Sequence, residues 1–303
     1  MVEDARPANR SHLERLIDTW SKEDKTAEAT ASRLRRLVAV SALVGILEGL
    51  PQEGEPRLAI KGGAALELRF GVSARGSRDV DAVTNAGFDD AFGEIADRLQ
   101  AGWEGFTGTL TTPTEITRPG IDPPPKRTKI KLAYNGKPFT TIPFELGFAE
   151  ASSFAHLEEV PNAVDLTKVQ LPAGDDVVVL GVEYQIAQKL HACTETFTEG
   201  ENRRVHDLYD ILLLAPLLTG ERLHSARLAA KEIFGQRAKQ SWPPTVPKVA
   251  SWPETWAALD VPADPTPPTY EEARDGVTEL IAQIVAAQPP SPDGRADAVS
   301  GAR

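Results

Sequence analysis

Asp79 and Asp81 stand two residues apart in the run Ser77-Arg78-Asp79-Val80-Asp81-Ala82-Val83-Thr84. On an extended strand that spacing sends both carboxylates to one face, about 7 Å apart along the chain. Two carboxylates held so close repel each other unless a cation lies between them. Hard divalent ions with oxygen ligands satisfy such a pair, and Mg2+ is commonly bound through one or two carboxylates together with substrate phosphates. A further acid, Glu145, sits among apolar neighbours in Ile-Pro-Phe-Glu-Leu-Gly-Phe, a costly place for a carboxylate without a partner. Upstream, Leu58-Ala59-Ile60-Lys61 and then Gly62-Gly63 read as a strand, a glycine turn and a helix start. There, backbone N–H groups and the helix dipole can hold phosphate. Three carboxylates on two neighbouring strands below a glycine turn point to metal-dependent phosphoryl or nucleotidyl transfer, with Mg2+ or Mn2+ as the metal. Each feature also has a plain structural alternative: two acids at a solvated strand end, an ordinary tight turn, a Glu145 facing water.

The elements that must position these residues follow from hydrophobic spacing. Leu13, Leu16, Ile17 and Trp20, then Leu34, Leu37, Val38, Val40 and Leu47, mark two amphipathic helices, the second ended by Pro51. The run containing Asp79 and Asp81 alternates as a strand, which places Ser77, Asp79, Asp81 and Val83 on one face. Phe88, Phe92, Ile95 and Leu99 form a helical stripe. Two strand-like runs then flank Asn135-Gly136, a hairpin signal that gives the sheet an antiparallel part. From about Val182 helices dominate. A proline-dense stretch carries at most one helical turn, and a final helix runs from Tyr270 to Ala287.

The residues resemble a known family at this point. The strand-Gly-Gly-helix unit followed by Ser-x-Asp-x-Asp resembles the nucleotidyltransferase toxins of the AbiEii/AbiGii type, including the related MenT toxins, within the polymerase-beta-like nucleotidyltransferase superfamily. Val182-Glu183-Tyr184-Gln185-Ile186-Ala187-Gln188-Lys189 resembles the family's lysine-bearing helix. Arg204, Asp207 and Asp210 resemble its later Arg-x-x-Asp-x-x-Asp helix. Together these segments span Leu58 to Leu214. Two departures stand out: the usual Gly-Ser is Gly62-Gly63, so backbone amides must hold the phosphates, and His206 precedes Asp207 where many relatives have lysine.

The resemblance implies an α/β (α+β) fold in which a mixed-sheet nucleotidyltransferase core, residues 51–180, is flanked by N-terminal helices over 1–50. A C-terminal helical domain would cover 181–287, with its Pro-rich connection at 240–270, and a disordered tail 288–303. It implies that Asp79 and Asp81 bind the metals and that Glu145 is the third carboxylate, activating the attacking hydroxyl. Lys189 would contact the triphosphate. Asp207 and Asp210 are further catalytic candidates, and Lys61, Gly62, Gly63, Ser77 and Arg78 nucleotide-binding ones. The implied reaction uses an NTP to extend RNA, most simply a tRNA 3′ acceptor end, which would block aminoacylation, with a cognate antitoxin as partner. A phosphate on Ser77 would set nearly two negative charges beside the metal ligands and is expected to inactivate the protein.

Composition bounds these readings. The chain has 303 residues, 33 Lys and Arg against 44 Asp and Glu, and a net charge of -11, which excludes a protein that coats nucleic acid indiscriminately. Yet Lys126 to Lys137 carries five bases and no acid, and Lys126, Arg127, Lys129 and Lys131 are the RNA-binding candidates, with Lys129 and Lys131 on one strand face. Arg33, Arg35 and Arg36, and Arg203 with Arg204, are lesser clusters. Glu150 to Glu199 holds nine acids and two bases, so Lys189 must have strong local partners or an anion. A single cysteine, Cys193, precludes an internal disulfide. No apolar window is long enough for a membrane span, and a cytoplasmic protein without membrane contact is expected. The competing readings are a small-acceptor nucleotidyltransferase of the aminoglycoside type, a haloacid-dehalogenase-type phosphatase lacking its long apolar strand, and a non-catalytic nucleotide-binding protein.

Overall fold

In a computed structural model of the chain, the described residues are 6–24, 29–48 (the side chain of residue 48 aside), 58–117, 123–197, 200–263 and 266–289. The proline at 51 and, from residue 290 on, the expected tail lie outside them. The chain divides into two compact units, Met1–Gly181 with Ala258–Pro268, and Val182–Ala257 with Thr269–Arg303.

The first unit is a mixed α/β structure. Helix α1 (Arg10–Glu23) starts at Asn9, whose side chain accepts a hydrogen bond from the His12 N–H, and buries Leu13 and Ile17 one turn apart. Helix α2 (Ala31–Glu48) precedes strand β1 (Leu58–Lys61), and helix α3 (Gly62–Phe70) follows that strand without a break. Then come β2 (Val80–Thr84), α4 (Phe88–Ala101), β3 (Phe106–Leu110), β4 (Thr114–Glu115), β5 (Lys126–Tyr134), β6 (Lys137–Phe148), β7 (Leu157–Val160) and β8 (Val177–Leu180). Among the described residues the strands make one eight-stranded sheet ordered β3-β5-β6-β2-β1-β8-β7, with β4 added against β5.

Pairing is parallel for β2 with β6 and for β1 with β8, and antiparallel elsewhere. The β5–β6 hairpin closes at Asn135 and Gly136, both at positive φ (45° and 72°), as the Asn-Gly signal requires. One face of the sheet is apolar: Ile60, Val80, Ala82, Ile130, Phe144 and Leu146 join the same buried cluster as Leu13, Leu37, Leu43, Ile95 and Leu99. Period-two alternation therefore sends Lys61, Asp81, Arg127 and Glu145 to the opposite face.

The edges of the sheet differ from the sequence reading. Strands β3, β4 and β7 were not foreseen: β4 has two residues, β7 four, and β3 carries a central glycine, so none presents a long apolar alternation. Strand β2 begins at Val80, which leaves Ser77 and Asp79 in the loop before it rather than on a shared strand face. The polar groups of residues 74–79 are engaged by side chains of α2 and α3 instead of a neighbouring strand.

The second unit is helical: α5 (Val182–Thr194), α6 (His206–Leu214), α7 (Arg222–Arg237), the short α8 (Trp252–Ala257) in the proline-dense stretch, and α9 (Tyr270–Ala286). A reciprocal capping box between Thr269 and Glu272 starts α9. Among the described residues no helix is long and apolar enough to cross a membrane.

Candidate active site

Strand register assembles four of the sequence-singled residues in one row. Lys61 pairs with Asp81 across β1 and β2, Asp81 with Glu145 across β2 and β6, and Glu145 with Arg127 across β6 and β5. Register partners share a face and neighbouring strands lie about 4.8 Å apart. Four adjacent strands therefore carry the charge sequence plus, minus, minus, plus. Glu145 is buried, and its Oε2 accepts a hydrogen bond of 3.1 Å from Arg127, half of whose side chain is exposed. A charge-assisted bond to a buried carboxylate fixes its orientation.

The glycine turn abuts this row. Gly62 has φ +66°, a conformation that favours glycine, and a Cβ there would lie 2.6 Å from Asp81 Oδ2 and push that carboxylate aside. Asp81 thus sits against the first residue of α3, where the helix dipole favours negative charge. At Gly63 a Cβ would meet Ser77 Oγ at 2.7 Å, so the Ser77 hydroxyl lies directly against the glycine turn. Ser77 Oγ donates to the Asp79 carbonyl at 2.9 Å, which ties the loop down one residue ahead of the β2 ladder.

Of this loop's support, Glu67 escaped the sequence reading, and Arg33 and Arg36 were read only as a lesser basic cluster. Glu67, the one acid in Gly62–Phe70, is fully buried, and burial pushes its carboxyl above the usual range while Arg36 pulls it back. Arg36 and Arg33 project from α2 into the loop, Arg33 donating to the Ala74 carbonyl, whereas Arg35 pairs with Glu14. The three arginines of this lesser cluster are thus half-buried and engaged within the chain. The available signal was the lone acid at a core position of an apolar helix.

The chemistry of the donor set fits a hard cation, because Asp81 and Glu145 place two carboxylates in register on neighbouring parallel strands. Among the described residues, however, no three His, Cys, Asp or Glu side chains are grouped closely enough to hold a metal ion. The pair is assembled; the triple with Asp79 is not.

Along β5, Arg127, Lys129 and Lys131 are exposed and alternate with buried Thr128, Ile130 and Leu132, so the three cations share the face that bears Glu145. Lys126 points the other way, lying 5.2 Å from the Phe88 ring centroid and 3.9 Å from Asp89 Oδ1.

The second unit gathers its own candidates. Buried Lys189 Nζ donates to Asp207 Oδ1 at 3.1 Å and to Asp210 Oδ2 at 2.6 Å, and both carboxylates are fully buried. Arg204 Nε donates to the other oxygen of Asp207 at 2.6 Å, and His206 Nε2 lies 3.8 Å from Oδ1. Burial would push the Asp207 carboxyl up, but Lys189, Arg204 and His206 together outweigh it and hold the group well below the ordinary carboxylate range. Asn202, also unforeseen, orients this corner: its side chain accepts from the Arg204 N–H and donates to the carbonyls of Ala192 and Glu195. Burial, with Asp207 adding to it, pushes the Cys193 thiol up and so disfavours its thiolate.

Comparison with known proteins now bears on this geometry. The family model described as Nucleotidyl transferase AbiEii toxin, Type IV TA system, matches residues 46–297. Among solved structures, MenT4, a nucleotidyltransferase toxin from Mycobacterium tuberculosis H37Rv, superposes with a TM-score of 0.61 at 17% identity over 91% of this chain and 90% of that one. An antigenic nucleotidyltransferase-like protein from Paracoccidioides brasiliensis gives a TM-score of 0.40 at 18% identity, over 69% of this chain and 90% of that one. The antibiotic-resistance factor ANT(2″)-Ia gives 0.38 at 15% identity, over 66% and 94%. No curated protein sequence matches the chain.

Proposed function

The chain belongs to the AbiEii nucleotidyltransferase toxin family of type IV toxin–antitoxin systems, and we propose that it transfers a nucleotide from an NTP to the 3′ acceptor end of a tRNA, blocking aminoacylation and hence translation. The supporting observation is the row Lys61, Asp81, Glu145 and Arg127 beside the Gly62-Gly63 turn. In this reading Asp81 and Glu145, joined by Asp79, would hold Mg2+ or Mn2+, and the metal would supply positive charge to activate the attacking ribose hydroxyl and to neutralise the leaving pyrophosphate. Glu145 receives the hydroxyl proton on a carboxylate oxygen, and Arg127 keeps that carboxylate aimed. Lys61 and the Gly62 and Gly63 amides, with Ser77 and Arg78, take the triphosphate. Lys189, expected to contact the triphosphate, lies in the second unit, where its ammonium is buried and held by Asp207 and Asp210, and it is given no phosphate role in this reading. Arg127, Lys129 and Lys131 form a cationic ladder for acceptor phosphates, spaced at about 7 Å, two residues of strand. Lys126 has no part in it. A cognate antitoxin is the protein partner, and the site of action is the cytoplasm.

Incubation with labelled NTPs, Mg2+ and total tRNA tests the reading. Label should enter tRNA and vanish for Asp81→Asn and Glu145→Gln. Absence of transfer with every NTP would defeat it.

A further inference from the structure

Glu67 and Arg36 close a ring around the segment that carries Asp79. Glu67 Oε1 accepts from the Ser77 N–H at 3.0 Å, and Oε2 accepts from Arg36 Nε at 3.3 Å. Arg36 Nη2 then donates to the Asp79 carbonyl at 2.9 Å, the same oxygen that accepts from Ser77 Oγ. Arg36 Nη1 lies 3.5 Å from the Arg78 carbonyl. One carboxylate and one guanidinium, from two different helices, thus grip residues 77, 78 and 79 from both sides. Arg33 packs beside them: a Cβ at Gly76 would lie 2.8 Å from its Nη1.

A fully buried carboxylate is an expensive way to fill a core position, since an ion pair there is commonly no more stable than apolar side chains of the same volume. Glu67 is flanked by Leu66 and Leu68, both buried, and an apolar residue would suit that helix. What an apolar residue cannot supply is an acceptor for the Ser77 amide and an anchor for Arg36. The ring acts on the stretch that no β ladder holds, because strand pairing begins only at Val80.

We propose that Glu67 and Arg36 are positioning residues for nucleotidyl transfer: their ion pair fixes the 77–79 backbone, which leads Asp79 into strand β2 and sets Ser77 against Gly63 of the glycine turn. This rests on the reading in which Asp79 serves the reaction. Glu67→Gln keeps shape and an oxygen for the Ser77 N–H but turns an amide toward Arg36. Transfer from labelled NTP to total tRNA should fall in kcat by about 10- to 100-fold, as is usual when a group orienting a metal ligand is lost, with KM for the NTP little changed. Hydrogen exchange should show faster loss of protection at Ser77, and titration with Mn2+ alone should show weakened binding. The double variant Glu67→Leu, Arg36→Met should unfold at or near the wild-type temperature and still transfer slowly. Wild-type kcat in Glu67→Gln, or recovery of kcat with stability in the double variant, would overturn the proposal. Asp79→Ala separates the two levels. If it is inert while Glu67→Gln is fully active, only the positioning role fails; if Asp79→Ala transfers normally, the reading of Asp79 fails and the proposal with it. Should wild-type protein transfer nothing, Ser77 exchange and Mn2+ titration still decide whether the ring organises the loop.

Discussion

Replacing Lys189 with methionine removes one ammonium from between two fully buried carboxylates, 3.1 Å from Asp207 Oδ1 and 2.6 Å from Asp210 Oδ2. Asp207 keeps Arg204 on its other oxygen, but each of the two carboxylates loses its bond to the ammonium. Breaking a buried pair by deleting one partner costs about 3–5 kcal/mol. At about 2–4 °C per kcal/mol, the unfolding midpoint of the second unit should drop by about 6–20 °C at pH 7. The pH dependence has a definite sign. Asp207 has a folded-state pKa below its unfolded value near 4, so its contribution is present above about pH 4 and lost as pH falls through the folded value. In Lys189→Met that depression is reduced, and the gap between variant and wild type should narrow in acid. Adding Asp207→Asn and Asp210→Asn should recover part of the midpoint, since the stranded charges go with the cation. Thermal melts followed by circular dichroism from pH 8 down to about pH 2 measure this, the narrowing being expected below about pH 4. A Lys189→Met midpoint within about 2 °C of wild type at pH 7, less than 1 kcal/mol on the same scale, would refute the reasoning.

Three other perturbations follow from the first unit. Gly62→Ala forces a side chain into φ +66° and into contact with Asp81 Oδ2, so it should destabilise by at least about 1–2 kcal/mol and abolish label transfer; an active, stable variant would contradict the turn's role. Lys129→Ala and Lys131→Ala should each weaken tRNA binding and lower the salt slope of log K by about 1, whereas Lys126→Ala, on the reverse face, should leave that slope unchanged. Ser77→Asp should lose transfer and Ser77→Ala should lose less, because only the former puts charge beside the Asp79 carbonyl; equal activities would count against control through that hydroxyl.

Much of the fold was readable because period and punctuation agreed. Asn135-Gly136 closes a hairpin since both residues tolerate positive φ, and the stripe from Phe88 to Leu99 is a helix begun by acids and ended at a glycine of positive φ. The missed strands fail for opposite reasons. Strand β7 is four residues with two glutamates, and β3 is interrupted by Gly108, where a Cβ would meet Leu99 Cδ2 at 2.7 Å. In that second case close packing, rather than propensity, decides the residue, and packing partners are invisible in a one-dimensional pattern.

The site divides along the same line. Spacing showed that Asp81 and Glu145 were unusual, but only register shows that they are neighbours, and that Lys61 and Arg127 complete a row across four strands. Ser77 was read as sharing a strand face with Asp79; instead it lies in the loop before β2, and its hydroxyl fills the space beside Gly63, 14 positions earlier in the chain. Arg33 and Arg36 look like a solvated stripe because their partners, Ala74, Glu67 and Asp79, are distant in sequence. The net charge of -11 misleads in a similar way. It counts Glu67, Glu145, Asp207 and Asp210 as repelling phosphate, yet each is buried and bonded to a cation. A polyanionic acceptor is screened from distant acids beyond about 8–10 Å, and the β5 face it would meet presents Arg127, Lys129 and Lys131. On the proposed function, acid buried in ion pairs positions the machinery, and the surface charge near the site, not the total, governs what can approach it.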